Sequence, residues 1–358
     1  MSSNDPPLPS PSSSTSSTIS SKRKRAEDEN EETGESSSAD YYYDSYSHHG
    51  IHVEMITDTV RTNTYRNFIL NNPHLFEGKV ILDVGCGTGI LSCFAAMAGA
   101  KKVYAIDNSK IVKMAREIVK KNNFTDVVEV IKCKAEDWEG PPDGEKVDLI
   151  ISEWMGYFLF YENMLPSVMS CLRHLRQGTG LVFPDRTELY LVGFSDPKRM
   201  DEEVNIWKDI GGVDMTPMIE CVEKEAVVDF IEHSTLCTTP VPIHTLNIPT
   251  CKLEECLDWE RTFTLSFATD NAVIDGIVGY FEVAFIGGAK NPVGFSTAPF
   301  AKPTHWKQTL FYLQKPISGN KGDTVMGEIK VKSKKNNGRD FDVKLKVGDG
   351  DWQDFVLN

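Results

Sequence analysis

Two hydrophobic periods follow one another along this chain, preceded by a stretch that has neither. Residues 1–40 are mostly Ser, Pro, Glu and Asp with almost no large apolar side chains. Such a segment buries too little surface to offset its chain entropy, so a disordered tail is expected there. From Tyr41 the character changes. "HVEMITDTVRTNTYRNFILNN" sets Met55, Thr59 or Val60, Asn63 or Thr64 and Phe68 at helical spacing, which predicts one helix opening the folded part. The apolar runs "KVILDV", "KKVYAI", "VVEVIKC" and "KVDLIIS" read as strands. Between them "ILSCFAAMAGA" and "SKIVKMAREIVKKNN" read as helices, the second with Ser109 as its N-cap, and a further helix is expected from near Glu162. Strands that are continuously apolar and alternate with helices predict an α/β, doubly wound parallel sheet of Rossmann-like kind up to about residue 184.

Beyond Pro184 the period becomes two. "TFTLSF", "IVGYFEVAF" and "DFDVKLKV" alternate, the last with Phe341, Val343, Leu345 and Val347 on one face and Asp342, Lys344 and Lys346 on the other. This predicts half-exposed antiparallel strands, a β-barrel or sandwich running to the end of the chain. One segment, 196–212, interrupts it with a helical stripe of Met200, Val204 and Trp207. The expected organisation is a tail (1–40), an α/β domain (41–184) and a β domain with a helical insertion (185–358).

Composition narrows the function. With 358 residues and a net charge of −14, a general nucleic-acid binder is disfavoured and basic partners are expected. The eight cysteines contain no C-x-x-C pair, so neither a zinc site nor a disulfide framework is indicated. Scattered thiols, no apolar run long enough for a bilayer and no signal-peptide core lead to the expectation of a soluble intracellular protein. Within the tail, "SKRKRAEDENEE" groups Lys22 to Arg25; a nuclear-import signal and a solvated charge cluster are both open readings.

The candidate chemistry begins at "VILDVGCGTGI", where Gly85, Gly87 and Gly89 follow a strand and precede a helix. Such a loop admits a ligand to the backbone at the carboxyl end of a sheet. It departs from the dinucleotide pattern, since the third Gly follows the second after one residue rather than two. Asp83, ahead of the glycines, would oppose a pyrophosphate but suits an ammonium group. Asp107, closing the next strand, suits a ribose diol. Together they describe S-adenosylmethionine better than a nicotinamide dinucleotide.

A second stretch, "SEWMGYFLFYENML", carries Glu153 and Glu162 among Trp154, Tyr157, Phe158 and Tyr161. Carboxylates in apolar surroundings require a cation to answer them. If none is present, the two acids should repel one another.

With "YYYDSYSHHGIHVEMITDTVRT", "LDVGCGTGIL", "FPDR" and "THWKQT", these motifs closely resemble the protein arginine methyltransferases, in the type I branch that makes asymmetric dimethylarginine. The likeness covers essentially all of 41–358. It implies that the awaited cation is a substrate guanidinium held by Glu153 and Glu162, near Tyr157, with S-adenosyl-L-methionine as cofactor. It further implies that Arg61 pairs with the cofactor's carboxylate. Asp83 would sit near its ammonium group, and His52, Gly85, Gly87 and Ala135 would line its pocket. Asp107 would hold the ribose, where most members carry Glu, and Glu136 would read the adenine. Tyr43 and Tyr46 would fold over as a lid, Met55 and Met164 would border the methyl-transfer site, and His305 with Asp58 would form a His–Asp pair. Arg/Gly-rich proteins and histones are the implied partners, a homodimer through the helical arm the implied assembly, and nucleus and cytoplasm the implied compartments. A small-molecule methyltransferase leaves the two-glutamate hairpin without a purpose. A catalytically dead adaptor does not explain intact Glu153, Glu162, Arg61 and Met55.

Overall fold

The computed structural model describes residues 49–334 and 339–357. The tail, Tyr43, Tyr46 and the basic cluster Lys22–Arg25 lie outside them. Strands β1 (Val80–Val84), β2 (Lys102–Asp107), β3 (Val128–Lys132), β4 (Leu149–Ser152) and β5 (Leu181–Phe183) form one sheet in the order β3-β2-β1-β4-β5. All four pairings are parallel. β1 and β4 are buried along their whole length, as continuous apolar runs require. The strand order reverses beside β1, so β1 and β4 end side by side with Val84 opposite Ser152. In open α/β sheets that switch point is where ligands enter.

The opening helix is in fact two, α1 (His49–Thr57) and α2 (Thr59–Asn71), broken at Asp58. The Asp58 side chain accepts from the Val60 and Arg61 backbone N–H groups, an N-cap that competes with helix continuation. Helix α3 (Ile90–Met97) leads from the glycine loop. Helix α4 spans Val112–Lys121, and Ser109 does not cap it: its N–H and hydroxyl both bond Asp107 Oδ1 at 2.7 Å. Nor does a helix start at Glu162. That residue and Asn163 are left-handed, at φ 72° and 48°, and α5 begins at Leu165, with Pro166 in its first turn.

The second half is antiparallel throughout. Strands β6 (Arg186–Phe194), β7 (Val227–Asp229), β8 (Val241–Asn247), β10 (Ala272–Phe285) and β12 (Gln308–Gly319) pair in the order β7-β12-β10-β6-β8, with β11 (Val293–Ser296) on β10. Strands β9 (Asp258–Ser266), β13 (Thr324–Ser333), β14 (Phe341–Val347) and β15 (Gln353–Leu357) form the other sheet. β14 buries Phe341, Val343, Leu345 and Val347, as its alternation predicts. β10 does not follow that rule: Ile277 to Phe281 are all buried, because both of its faces are covered. One faces the main core. The other packs with Val192, Phe194, Leu310, Tyr312 and Val204.

Val204 belongs to the inserted arm, made of α6 (Pro197–Glu203), a 3-10 turn and α7 (Pro217–Val222). The helical stripe turns inward at its base: Val204 is 5% exposed and Met200 packs beside it. Arg199, bonded to Glu203 and Asp229, and Tyr312, bonded to Glu203, fix that base. The apolar residues that reach solvent are instead Ile206, Ile210, Val213 and Met218.

Candidate active site

The glycine loop and the two-glutamate hairpin both leave the carboxyl ends of neighbouring strands, and one cavity opens between them. In the loop Gly85, Gly87 and Gly89 have φ of 71°, 53° and 80°, which only glycine adopts without strain. A Cβ on Gly85 would overlap the Met164 methyl, and one on Gly87 would meet His52 Cε1 at 3.5 Å. Asp107 holds the loop by accepting the Gly87 N–H at 2.9 Å. The chain therefore builds a cradle whose floor is bare backbone.

The hairpin begins at Ser152, whose hydroxyl donates to the Val84 carbonyl and whose own carbonyl accepts from Tyr65. Trp306 Nε1 donates to the Met155 carbonyl at 2.9 Å, so the Thr304-His305-Trp306 loop braces the hairpin from the barrel. Gly156 is obligatory, because a Cβ there would overlap the Tyr161 carbonyl. Phe158 turns away from the cavity: it is 2% exposed and rests on Gly279 and Phe311 of the barrel. Tyr161 stacks on Tyr157 at 5.9 Å, and of these three aromatics Tyr157 lines the cavity. Burial raises the Tyr157 hydroxyl above its ordinary value, and the charges of Glu54 and Glu162 raise it further.

Glu153 is not an unanswered acid. Its Oε2 accepts from Arg61 Nε at 2.9 Å and Nη2 at 2.8 Å, with both side chains about 8% exposed. The cation that answers it is supplied by the chain, and the mutual repulsion expected of the two acids is met by that charge. Opposite, His305 Nδ1 lies 2.8 Å from Asp58 Oδ2, which also accepts the His305 backbone N–H. Burial acts to raise the Asp58 carboxyl, but the hydrogen bonds from His305 and Arg61 outweigh it and hold it below its usual value.

The cavity brings together His52, Met55, Arg61, Gly85, Gly87, Asp107, Ala135, Glu153, Tyr157, Glu162, Met164 and His305. Three anticipated residues do not line it. Asp58 stands behind His305. Glu136 is exposed and accepts from Ser167, which does line the cavity. Asp83 is fully buried, its Oδ2 bonded to Ser92 at 2.6 Å and its Oδ1 unpartnered. Burial pushes the Asp83 carboxyl up to about 7, against the Ser92 hydrogen bond and with the help of the Asp107 charge. Several lining residues went unread in the sequence, among them Glu54, Asn108, Cys133, Ser167 and Arg339. Arg339 comes from the turn between β13 and β14, and no local pattern marks it. Among the described residues no cluster of His, Cys, Asp or Glu is placed to hold a metal, and no helix is long and apolar enough to cross a membrane.

The residues present fit S-adenosylmethionine: a side-chain-free cradle, a carboxylate at the end of β2, a buried carboxylate with an unpartnered oxygen beneath the loop, and a guanidinium at the hairpin. Residues 69–174 match the model of the ribosomal protein L11 methyltransferase, and residues 185–348 that of the arginine methyltransferase oligomerization subdomain. Protein arginine N-methyltransferase 1 of Saccharomyces cerevisiae is 43% identical over 311 residues, 87% of this chain and 88% of that protein. That of Dictyostelium discoideum is 44% identical over 311 residues, 87% and 90% of the two. Among solved structures, the Trypanosoma brucei PRMT1 enzyme–prozyme heterotetrameric complex with AdoHcy is 39% identical with a TM-score of 0.81, covering 88% of this chain and 100% of that one. Arabidopsis thaliana protein arginine methyltransferase 10 is 31% identical with a TM-score of 0.79 over the same shares. Since these likenesses run through the glycine loop, the two-glutamate hairpin and the barrel together, the chain belongs to the type I branch of the protein arginine methyltransferases, S-adenosylmethionine-dependent enzymes that methylate arginine in proteins, and its β domain is their oligomerisation subdomain.

Proposed function

We propose that Glu153 and Glu162 grip the guanidinium of a protein arginine while the glycine loop holds the cofactor. The product is then carried through monomethyl to asymmetric dimethylarginine. The observation that carries this reading is Glu153 itself, which already binds a guanidinium through two N–H···O bonds in a nearly dry site. Both bonds fall on Oε2, which leaves Oε1 to turn towards a second, substrate guanidinium. When bound, S-adenosylmethionine supplies an electrophilic methyl group on sulfur. The protein's part is orientation. Guanidinium nitrogens are poor nucleophiles because their lone pairs are delocalised. Two carboxylates fix the plane of the group and draw its positive charge towards the nitrogens they touch, leaving the reacting nitrogen richer in electrons.

Gly85, Gly87, His52 and Ala135 would form the cofactor's cradle, Asp107 would hold its ribose, and Arg61, beside Glu153, its carboxylate. Asp83 would act on the ammonium group from beneath the loop, and Glu136 on the adenine from the cavity's edge. Tyr43 and Tyr46 are proposed as the lid. Tyr157 and Trp154 exclude water from the acids, and Met55 and Met164 border the space beside the reacting nitrogen. With Asp58 fixing the Nδ1 proton, His305 presents Nε2 as an acceptor for the proton that leaves.

Basic, Arg/Gly-rich proteins and histones suit a chain of charge −14. The reading places the enzyme in nucleus and cytoplasm, with Lys22–Arg25 as import signal; changing all four to Ala should shift a fluorescent fusion to the cytoplasm. The assembly is a homodimer in which Ile206, Ile210, Val213 and Met218 of the arm meet a second copy. Replacing these four by Ser should give monomers by light scattering, whereas a wild-type chain monomeric at micromolar concentration overturns the dimer. The activity is tested by mass spectrometry of an Arg/Gly-rich peptide incubated with the pure enzyme and S-adenosylmethionine. Asymmetric dimethylarginine is expected, and a wild type that yields only symmetric or monomethyl product overturns the assignment.

A further inference from the structure

Glu162 is held in place by a residue of the other domain. At φ 72°, followed by Asn163 at 48°, it sits in a left-handed conformation that costs energy for any residue with a Cβ. Such a conformation persists only where its surroundings over-determine it. Its own hairpin binds its neighbours: the Tyr161 N–H reaches the Tyr157 carbonyl and the Asn163 N–H reaches the Phe160 carbonyl. The Glu162 N–H leaves the hairpin and donates to the Arg339 carbonyl at 3.0 Å. In return, Arg339 Nη1 donates to the Glu162 carbonyl at 2.7 Å. These two bonds join positions 177 residues apart and grip both backbone faces of one amino acid. Arg339 lines the same cavity as Glu162, so the tie lies at the wall of the site rather than behind it.

We propose that Arg339 is a positioning residue: its guanidinium, bonded to the Glu162 carbonyl, fixes the left-handed backbone that aims the Glu162 carboxylate at the substrate. The inference rests on the two-carboxylate reading, since Glu162 must have a guanidinium to aim at. A charged donor on a carbonyl makes a stronger bond than a neutral one, which suits a restraint that has to oppose backbone strain. It also explains why the barrel's turn contributes to a cavity whose other walls come mainly from the α/β half. The carboxylate's aim would thus be conditional on the barrel being docked.

The test compares Arg339→Ala and Arg339→Lys with the wild type, using the full chain, an Arg/Gly-rich peptide and S-adenosylhomocysteine as binding probe. Misplacing a reacting group by about 1 Å can cost on the order of 100-fold, so a loss approaching that in kcat is expected for Arg339→Ala. Affinity for S-adenosylhomocysteine should stay unchanged. Arg339→Lys, which keeps one charged donor, should recover most of the rate. In the Glu162→Gln background, Arg339→Ala should add no further loss, because two residues acting through one another are not additive. Hydrogen exchange over 156–164 should accelerate in Arg339→Ala and revert in Arg339→Lys. Wild-type kcat in Arg339→Ala, a loss matched by weakened S-adenosylhomocysteine binding, or unchanged exchange would each overturn the proposal. A wild type that fails to methylate the peptide would overturn the two-carboxylate reading instead, and the exchange measurement would still decide what Arg339 does to the hairpin.

Discussion

The loop after β1 and the hairpin after β4 face each other across one cavity, and both depend on left-handed backbone, yet they obtain it by opposite means. The loop uses Gly85, Gly87 and Gly89, for which positive φ carries no steric cost. The hairpin uses Phe158, Leu159, Glu162 and Asn163, each of which pays for it in strain. The glycine loop is held within its own sheet, by the end of β2: Gly87 donates to Asp107, and Gly85 and Cys86 donate to the Ile106 carbonyl. The hairpin is held from outside: by Tyr65 at Ser152, by Trp306 at Met155, by the barrel around Phe158 and by Arg339 at Glu162. The cradle is therefore a local device, and the pair of acids is a tertiary one.

That contrast can be broken most forcefully at Glu162. Glu162→Gln keeps the shape and removes one charged partner from a desolvated site, which should cost about 3 kcal/mol or more of transition-state stabilisation. Turnover should fall at least ~100-fold while calorimetry finds S-adenosylhomocysteine binding nearly intact. Near-normal methylation by this variant would sink the two-carboxylate clamp.

The next test sets one glycine of each region against the other. In Gly156→Ala the new Cβ strikes backbone, the Tyr161 carbonyl, which cannot move without opening the hairpin. A loss of about 3 kcal/mol in denaturant unfolding is expected. In Gly85→Ala the obstacle is the end of Met164, a flexible side chain, so stability should drop by only about 1 kcal/mol, the cost of left-handed Ala. Equal losses would show that the two regions are not held differently. Met55→Phe then probes the space beside the reacting nitrogen. Overpacking of a tight site costs about 1–3 kcal/mol, so the rate should fall and products should shift towards monomethylarginine by mass spectrometry.

A last effect, spread over about three pH units, lies beneath the loop. The Asp83 carboxyl, pushed by burial from its ordinary 3.8 up to about 7, keeps its proton in the folded state when the unfolded chain has already released it. Stability of the ligand-free enzyme should therefore decline as pH rises from about 4 to about 7 and level off above, by at most ~1.4 kcal/mol per pH unit from this group. Asp83→Asn removes the titration. Its urea midpoint should vary less over that range and exceed the wild type's at pH 8. An identical pH profile in the two proteins would count against the buried proton.

Legibility in the sequence follows the same division. The glycine loop, Asp107, four of the five parallel strands and the alternation of β14 are set by neighbouring residues, so local pattern suffices to find them; β5, only three residues long, went unread. The left-handed turn at Glu162 was misread because a distant group, Arg339, decides it. The helix break at Asp58 and the missing cap at Ser109 turn instead on short-range side-chain bonds, Asp58 capping Val60 and Arg61 and Asp107 engaging Ser109, to which hydrophobic periodicity is blind. β10 looked half exposed because nothing in its own sequence reveals that Val204 covers its outer face. The two glutamates were legible through their apolar setting, but their different situations were not. Glu153 has an internal guanidinium partner 92 residues away, which only the fold brings to it.

The seat of Phe158 against Gly279 has one more consequence. A fragment ending near residue 184 would retain every strand of the parallel sheet and the whole glycine loop, but the socket for that ring would be gone. It should still recognise S-adenosylmethionine and yet have no shaped receptacle for arginine. The two halves cannot be shuffled as independent modules. A different barrel grafted in its place would have to offer the same bare spot for Phe158 to rest on.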